Sequence, residues 1–250
     1  MNLRVLGLSL LLQLTAQTTM ADSANIAVAA NFTAPMRELA REFEKTSDHR
    51  LVLSFASSGK FYAQIQHGAP FDVFLSADTV KPERLIGDGL GEKTSRFTYA
   101  LGALALWSKD PALISDGPET LAAGNFHKLA LANPRLAPYG EAAMATLAAL
   151  KLDKVLQSRL VQGENIAQAY QYVSSGNAEL GFVARSQLWR EDGSTEGSVW
   201  LVPASFHPPI RQDAVLLTRG ADNPAALALL TYLRSEPAQA IIRRYGYGVE

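Results

Sequence analysis

Tyr99–Trp107 reads YALGALALW, an apolar run interrupted by Gly102 alone. A short, unbroken apolar segment of this kind is a strand buried on both faces, and it stops at Ser108-Lys109-Asp110, well short of membrane length. On its N-terminal side strands and helices alternate. Asn25–Ala30 (NIAVAA) is a strand, and Pro35–Lys45 is a helix with Met36, Leu39, Ala40 and Phe43 at helical spacing. Arg50–Phe55 and Phe71–Ser76 are further strands, separated by a Ser57-Ser58-Gly59 turn and a short helix over Lys60–Gln66; Pro82–Asp88 is a helix. On the C-terminal side the alternation resumes. Strands are expected at Lys128–Ala132, Ala178–Ala184 and Ser198–Val202, and helices at Gly140–Leu150 and Ile166–Ser174, with Leu156–Gln162 a helix end or a strand. Asp213–Thr218 is a returning strand, followed by helices over Pro224–Ser235 and Pro237–Tyr245. The fold class is therefore α/β, in two lobes of mainly parallel sheet flanked by helices. The apolar run carries the chain across near residue 100 and a second passage returns it near 205. Residues 25–100 and 205–250 form the first lobe and 101–204 the second, with the ligand expected in the cleft between them.

Residues 1–24 stand apart from this pattern. Arg4 supplies a positive start, Val5–Leu14 is an apolar run, and Thr19-Met20-Ala21 is a small-residue exit, together a cleavable signal peptide cut after Ala21 or Ala24. An exported, periplasmic protein follows. The chain of 250 residues contains no cysteine, which suits an oxidising compartment and excludes disulfides, thiol nucleophiles and thiolate zinc sites. Its 23 Lys+Arg against 24 Asp+Glu leave no basic stripe, so no nucleic-acid partner is expected. His49, His67, His127 and His207 are scattered and form no metal-binding pattern, and no cofactor is expected.

Chemistry concentrates at the starts of helices. Ser57-Ser58-Gly59-Lys60 lacks the companions of a serine acyl-transfer site and the first glycine of a phosphate-binding loop. It does suit an anion clamp, in which hydroxyls and backbone N–H groups converge at a positive helix end; capping of the helix by Ser57 or Ser58 uses the same donors. Asn31 offers an amide at the carboxyl end of the first strand, or an N-cap. Ala137-Pro138-Tyr139-Gly140 and Gly163-Glu164-Asn165-Ile166 lead into two more helices. These four starts describe a site for a small anion held by dipoles, without an obligate positive charge.

Ile26–Phe32 (IAVAANF), Ser54–Gln64 (SFASSGKFYAQ), Gly68–Asp78 (GAPFDVFLSAD), Asn133–Gly140 (NPRLAPYG) and Ile241–Gly246 together resemble the periplasmic molybdate-binding proteins of ABC import systems, in the right order over nearly all of the chain after the leader. The resemblance implies a type II periplasmic binding protein fold that closes on molybdate or tungstate and hands it, as a monomer, to a membrane permease. It also implies the site: Ala30, Asn31 and Ser58 from the first lobe, and the N–H groups of Tyr139 and Ile166 from the second. Some relatives place a tyrosine hydroxyl in the site from a position that is Ala184 here. Asp72 and Asp78 are expected to shape loops, since a carboxylate facing a dianion repels it, and Lys60 to lie outside the sealed pocket. Alternatives are a binder of another tetrahedral oxyanion such as sulfate, and an exported hydrolase using Ser57 or Ser58.

Overall fold

The computed structural model describes residues 22–190 and 194–250. Residues 1–21, most of the segment 1–24 expected to be a signal peptide, lie outside them. Strand and helix alternate through β1 (Ser23–Ala29), α1 (Thr33–Thr46), β2 (Arg50–Ala56), α2 (Ser58–Gln66), β3 (Val73–Leu75), α3 (Val80–Gly87) and β4 (Phe97–Gly102). A second series follows: β5 (Leu104–Ser108), α4 (Gly117–Ala123), β6 (Leu129–Ala132), α5 (Pro138–Ala149), β7 (Leu160–Gly163), α6 (Ile166–Ser174), β8 (Leu180–Ala184) and β9 (Ser198–Leu201). The chain then closes with β10 (Ile210–Leu216), α7 (Pro224–Leu233) and α8 (Glu236–Arg244).

Two five-stranded sheets result, ordered β2-β1-β3-β10-β4 and β7-β6-β8-β5-β9. The parallel pairing expected from the alternation holds for β2-β1-β3 and β7-β6-β8, while β10 pairs antiparallel with β3 and β4, and β5 with β8 and β9, so one strand of each sheet runs against the other four. The crossings between lobes run from β4 to β5 and from β9 to β10, each ending or starting on one of these two reversed strands. The YALGALALW run is accordingly two strands and not one: it breaks at Ala103, with β4 in the first sheet and β5 in the second. The return passage lies between β9 and β10.

Periodicity decides which faces are buried. In α1, Met36, Leu39, Ala40 and Phe43 share one buried face and pack on Ile26, Val28, Val73 and Leu75. Ala27 and Phe74, alternating with those strand residues, face the other way and meet Phe61 of α2 and Leu85 of α3. Both faces of the first sheet are thus covered. The second lobe has its own core around Leu104, Leu106, Leu131 and Phe182, and Ala29, Ala30 and Ala77 of the first lobe join it, so the lobes meet closely. Four connections leave the carboxyl ends of β1, β2, β6 and β7 and enter helical turns where the lobes face one another.

The start of β1 bears on processing. Ser23 and Ala24 pair with Arg50 and Leu51, and Ala24 is completely buried, so cleavage after Ala24 would remove two paired residues of the strand. Cleavage after Ala21 leaves β1 whole. Intact-mass measurement of the exported protein is expected to place its first residue at Asp22.

Candidate functional site

Each helical turn facing the cleft leaves backbone donors over, and local sequence decides which. At α2, Ser57 is the N-cap: its Oγ accepts the N–H of Lys60 at 3.3 Å, Gly59 N–H goes to Leu136 O at 2.8 Å, and Phe61 N–H returns to Ser57 O at 3.2 Å. Ser58 N–H has no acceptor among the described residues. At α6, Asn165 Oδ1 caps Ala167 and Gln168 at 3.0 and 3.1 Å, which leaves Ile166 N–H. At α5, Pro138 has no N–H, and Gly140 and Glu141 both donate to Ala137 O, which leaves Tyr139 N–H. After β1 the chain makes a single 3-10 turn, Ala30–Phe32, and the N–H groups of Ala30 and Asn31 are left without an acceptor among the described residues.

These leftover donors converge. Ala30, Asn31, Ser58, Tyr139 and Ile166 line one small cavity, together with Ala29, Ser57, Ala77, Ala137, Pro138 and Asn165, and none of the lining side chains is a carboxylate, a lysine, an arginine or a histidine. All five are at most 6% exposed. A buried unpaired donor costs about 1–3 kcal/mol, so a cavity ringed by five of them is matched to an acceptor-rich guest. Ser58 adds a sixth donor. Its Oγ accepts Ala77 N–H at 2.9 Å, which orients the oxygen and leaves the hydroxyl proton to donate. The first residues of α2, α5 and α6 all line this cavity, and a helix start carries roughly half a positive charge.

The Asn31 side chain has a different role from the ligand donor expected of it. Its Nδ2 donates to Gln212 Oε1 at 2.8 Å and to Tyr247 OH at 3.0 Å, so both amide hydrogens are committed below the cavity and the backbone N–H is what Asn31 offers. Around it lies a buried polar network that sequence reasoning missed. Tyr99 OH donates to Gln212 Oε1 at 3.1 Å, Gln212 Nε2 to Tyr139 OH at 3.3 Å, and Tyr247 OH and Ser186 Oγ to the Asn31 carbonyl at 2.8 and 3.0 Å. Ser186 and Tyr139 belong to the second lobe and the others to the first. Gly102, at the crossing, has no room for a side chain: a Cβ there would fall 2.3 Å from Tyr139 OH. Burial pushes the Tyr99 and Tyr139 hydroxyls well above their ordinary pKa, and Tyr247 up to about 12.

Other expected residues fall outside the cavity. Asp72 accepts Asn25 N–H at 2.7 Å and Asp78 accepts Lys81 N–H at 2.9 Å, both within the first lobe. Lys60 pairs across the lobes with Glu164 at 2.8 Å, neither of them lining the cavity. Ala184 is buried in β8, its N–H held by Gln187 Oε1 at 2.9 Å. The residues that sequence reasoning did not name, Ala77, Ser186, Gln212 and Tyr247, carry no local signal, because their partners lie 19, 155, 181 and 216 positions away.

Residues 24–248 match the family model described as bacterial extracellular solute-binding protein. The chain is 52% identical to the molybdate-binding protein ModA of Azotobacter vinelandii, over 90% of this chain and 89% of that one. It is 46% identical to the molybdate-binding protein ModA of Rhodobacter capsulatus, over 90% and 87%. Among solved structures it superposes on the periplasmic molybdate-binding protein of Azotobacter vinelandii with a TM-score of 0.89 and 38% identity, covering 91% of this chain and 99% of that one.

Gly59 lies so close to the second lobe that a Cβ would come 2.9 Å from Leu136 Cα and O. Gly59→Ala therefore strains the closed form by about 1–3 kcal/mol and is expected to weaken anion binding about five- to 150-fold, measured calorimetrically, with little change in the unfolding temperature of the ligand-free protein. The tyrosines set an alkaline limit. Their folded pKa values lie above the unfolded value near 10, so stability is full below that pH and is lost as pH rises towards about 12. Denaturant titrations across this window are expected to show the decline, and Tyr247→Phe to reduce it.

Proposed function

The chain belongs to the bacterial extracellular solute-binding protein family and groups there with the molybdate-binding proteins, and from that premise we propose that it captures molybdate, and with it tungstate, in the cleft between its lobes. The observation that carries this reading is the ring of five unpaired buried N–H groups and the Ser58 hydroxyl around one uncharged cavity. A tetrahedral dianion has four oxygens and, when fully deprotonated, only acceptors. Hydrogen bonds to a charged group contribute about 1.5–3 kcal/mol each, so six give roughly 9–18 kcal/mol before ordering and desolvation are deducted. Micromolar to nanomolar affinity, about −8 to −12 kcal/mol, is within reach without a lysine or arginine.

Chemistry also separates competing anions. Hydrogen phosphate carries an O–H that needs an acceptor, and no carboxylate lines the cavity; its affinity is expected to be poor. Sulfate has the same charge and is smaller, so only the size of the closed cavity can tell it from molybdate. In the proposed cycle the protein is exported to the periplasm, closes on the anion as a monomer, and presents the closed surface to the permease of an ABC transporter, without nucleic acid, cofactor or catalytic step. The hydrolase alternative loses support because the oxygens of Ser57 and Ser58 are both engaged by backbone N–H groups.

Isothermal titration with molybdate, tungstate, sulfate and phosphate tests the reading. Molybdate and tungstate are expected to bind tightly and phosphate not at all; silence towards the first two would sink the proposal. Ser58→Ala removes one donor and strands Ala77 N–H, so molybdate binding is expected to weaken by about 1–3 kcal/mol while the circular dichroism spectrum is unchanged. Equal affinity would remove Ser58 from the site.

A further inference from the structure

We propose that Lys60 and Glu164 form a latch that sets how long the bound anion is retained, a role that rests on the ligand reading above but concerns residues outside the cavity. Lys60 Nζ lies 2.8 Å from Glu164 Oε1, joining a residue of the first lobe to one of the second, and both side chains are roughly half exposed. Each stands two positions from a cavity donor. Lys60 follows Ser58 in the first turn of α2, and Glu164 precedes Ile166 at the start of α6. Between Ser58 and Lys60, Gly59 N–H meets Leu136 O at 2.8 Å, so the first turn of α2 is held to the second lobe at two adjacent points.

The charges are informative because the cavity has none. Lys60 cannot neutralise the anion in the closed form, since its charge is spent on Glu164 at the rim. The pair can form only when the two lobes are together. It therefore favours the closed state over the open one and slows release, adding to the affinity that the cavity donors supply, while the choice of ligand rests with the donors. An exposed ion pair is weak and screened by salt, which suits a latch that must yield. Lys60 and Glu164 are thus positioning residues, acting on the anion through the lobes.

Chasing radiolabelled molybdate from wild type, Lys60→Met, Lys60→Glu and the charge-swapped double variant Lys60→Glu/Glu164→Lys tests this. Loss of the pair is expected to speed release about two- to five-fold in Lys60→Met, and at least as much in Lys60→Glu, which sets two acids face to face. The swap is expected to restore a rate close to wild type, an outcome that a merely structural role for either residue would not produce. Raising ionic strength should speed release from wild type and leave Lys60→Met unchanged. A swapped variant that releases as fast as Lys60→Glu, or a wild-type rate indifferent to salt, would overturn the latch. Uptake of label by wild type reports on the ligand separately: where labelled sulfate binds and molybdate does not, the same four proteins compared with sulfate decide the latch.

Discussion

An unpaired backbone N–H cannot be left in a dry interior without cost, and this protein places five of them around one cavity. Much of the architecture serves that constraint. The caps at Ser57 and Asn165 and the proline at position 138 use up or delete the neighbouring donors, so that each helix start presents one N–H and no more. Two lobes are needed because no single sheet edge brings enough helix starts to one point. The first lobe supplies Ala30, Asn31 and Ser58, and the second supplies Tyr139 and Ile166.

Neutral donors also explain how a chain with a formal charge of −1 can hold an anion. Charge enters through helix dipoles and hydrogen bonds, which are fixed in direction and do not titrate near neutral pH. A lysine inside the cavity would bind anions of many shapes. Directed N–H groups instead demand an oxygen at each position, and shape becomes selectivity. Beside them the Asn31, Gln212, Tyr99, Tyr139, Tyr247 and Ser186 network satisfies buried polar groups across both lobes, and it holds the carbonyl of Asn31 with two donors, Tyr247 OH and Ser186 Oγ.

Legibility followed the range of the interaction. The helical spacing of Met36, Leu39, Ala40 and Phe43 and the β-rich Ile26–Ala29 segment are local patterns, and the elements formed where those patterns lie. The start of α6 at Ile166 was legible for the same reason, while α2 and α5 begin two residues before the expected Lys60 and Gly140, because Ser58 and Pro138 already belong to the first helical turn. YALGALALW misled in one respect. Its apolar run was continuous, but the change of sheet at Ala103 is imposed by pairing partners at β8 and β10, far along the chain. The Asn31 amide misled in the same way, because its use was decided by Gln212 and Tyr247.

The sequence by itself determined the alternation of strands and helices, the two lobes and a set of helix starts without an obligate charge, because capping, periodicity and proline act over a few residues, while the particular donor positions were implied by the family resemblance. Only the tertiary structure decided that these donors meet in one cavity, that Asn31 turns its amide inward, that Ala77 orients Ser58, and that Lys60 finds Glu164 104 positions away. The reason is physical. Leftover N–H groups are products of local geometry, whereas their convergence depends on how two separately folded sheets pack, and that packing is set by the non-local pairing of β4 and β5 with strands at the other end of each lobe.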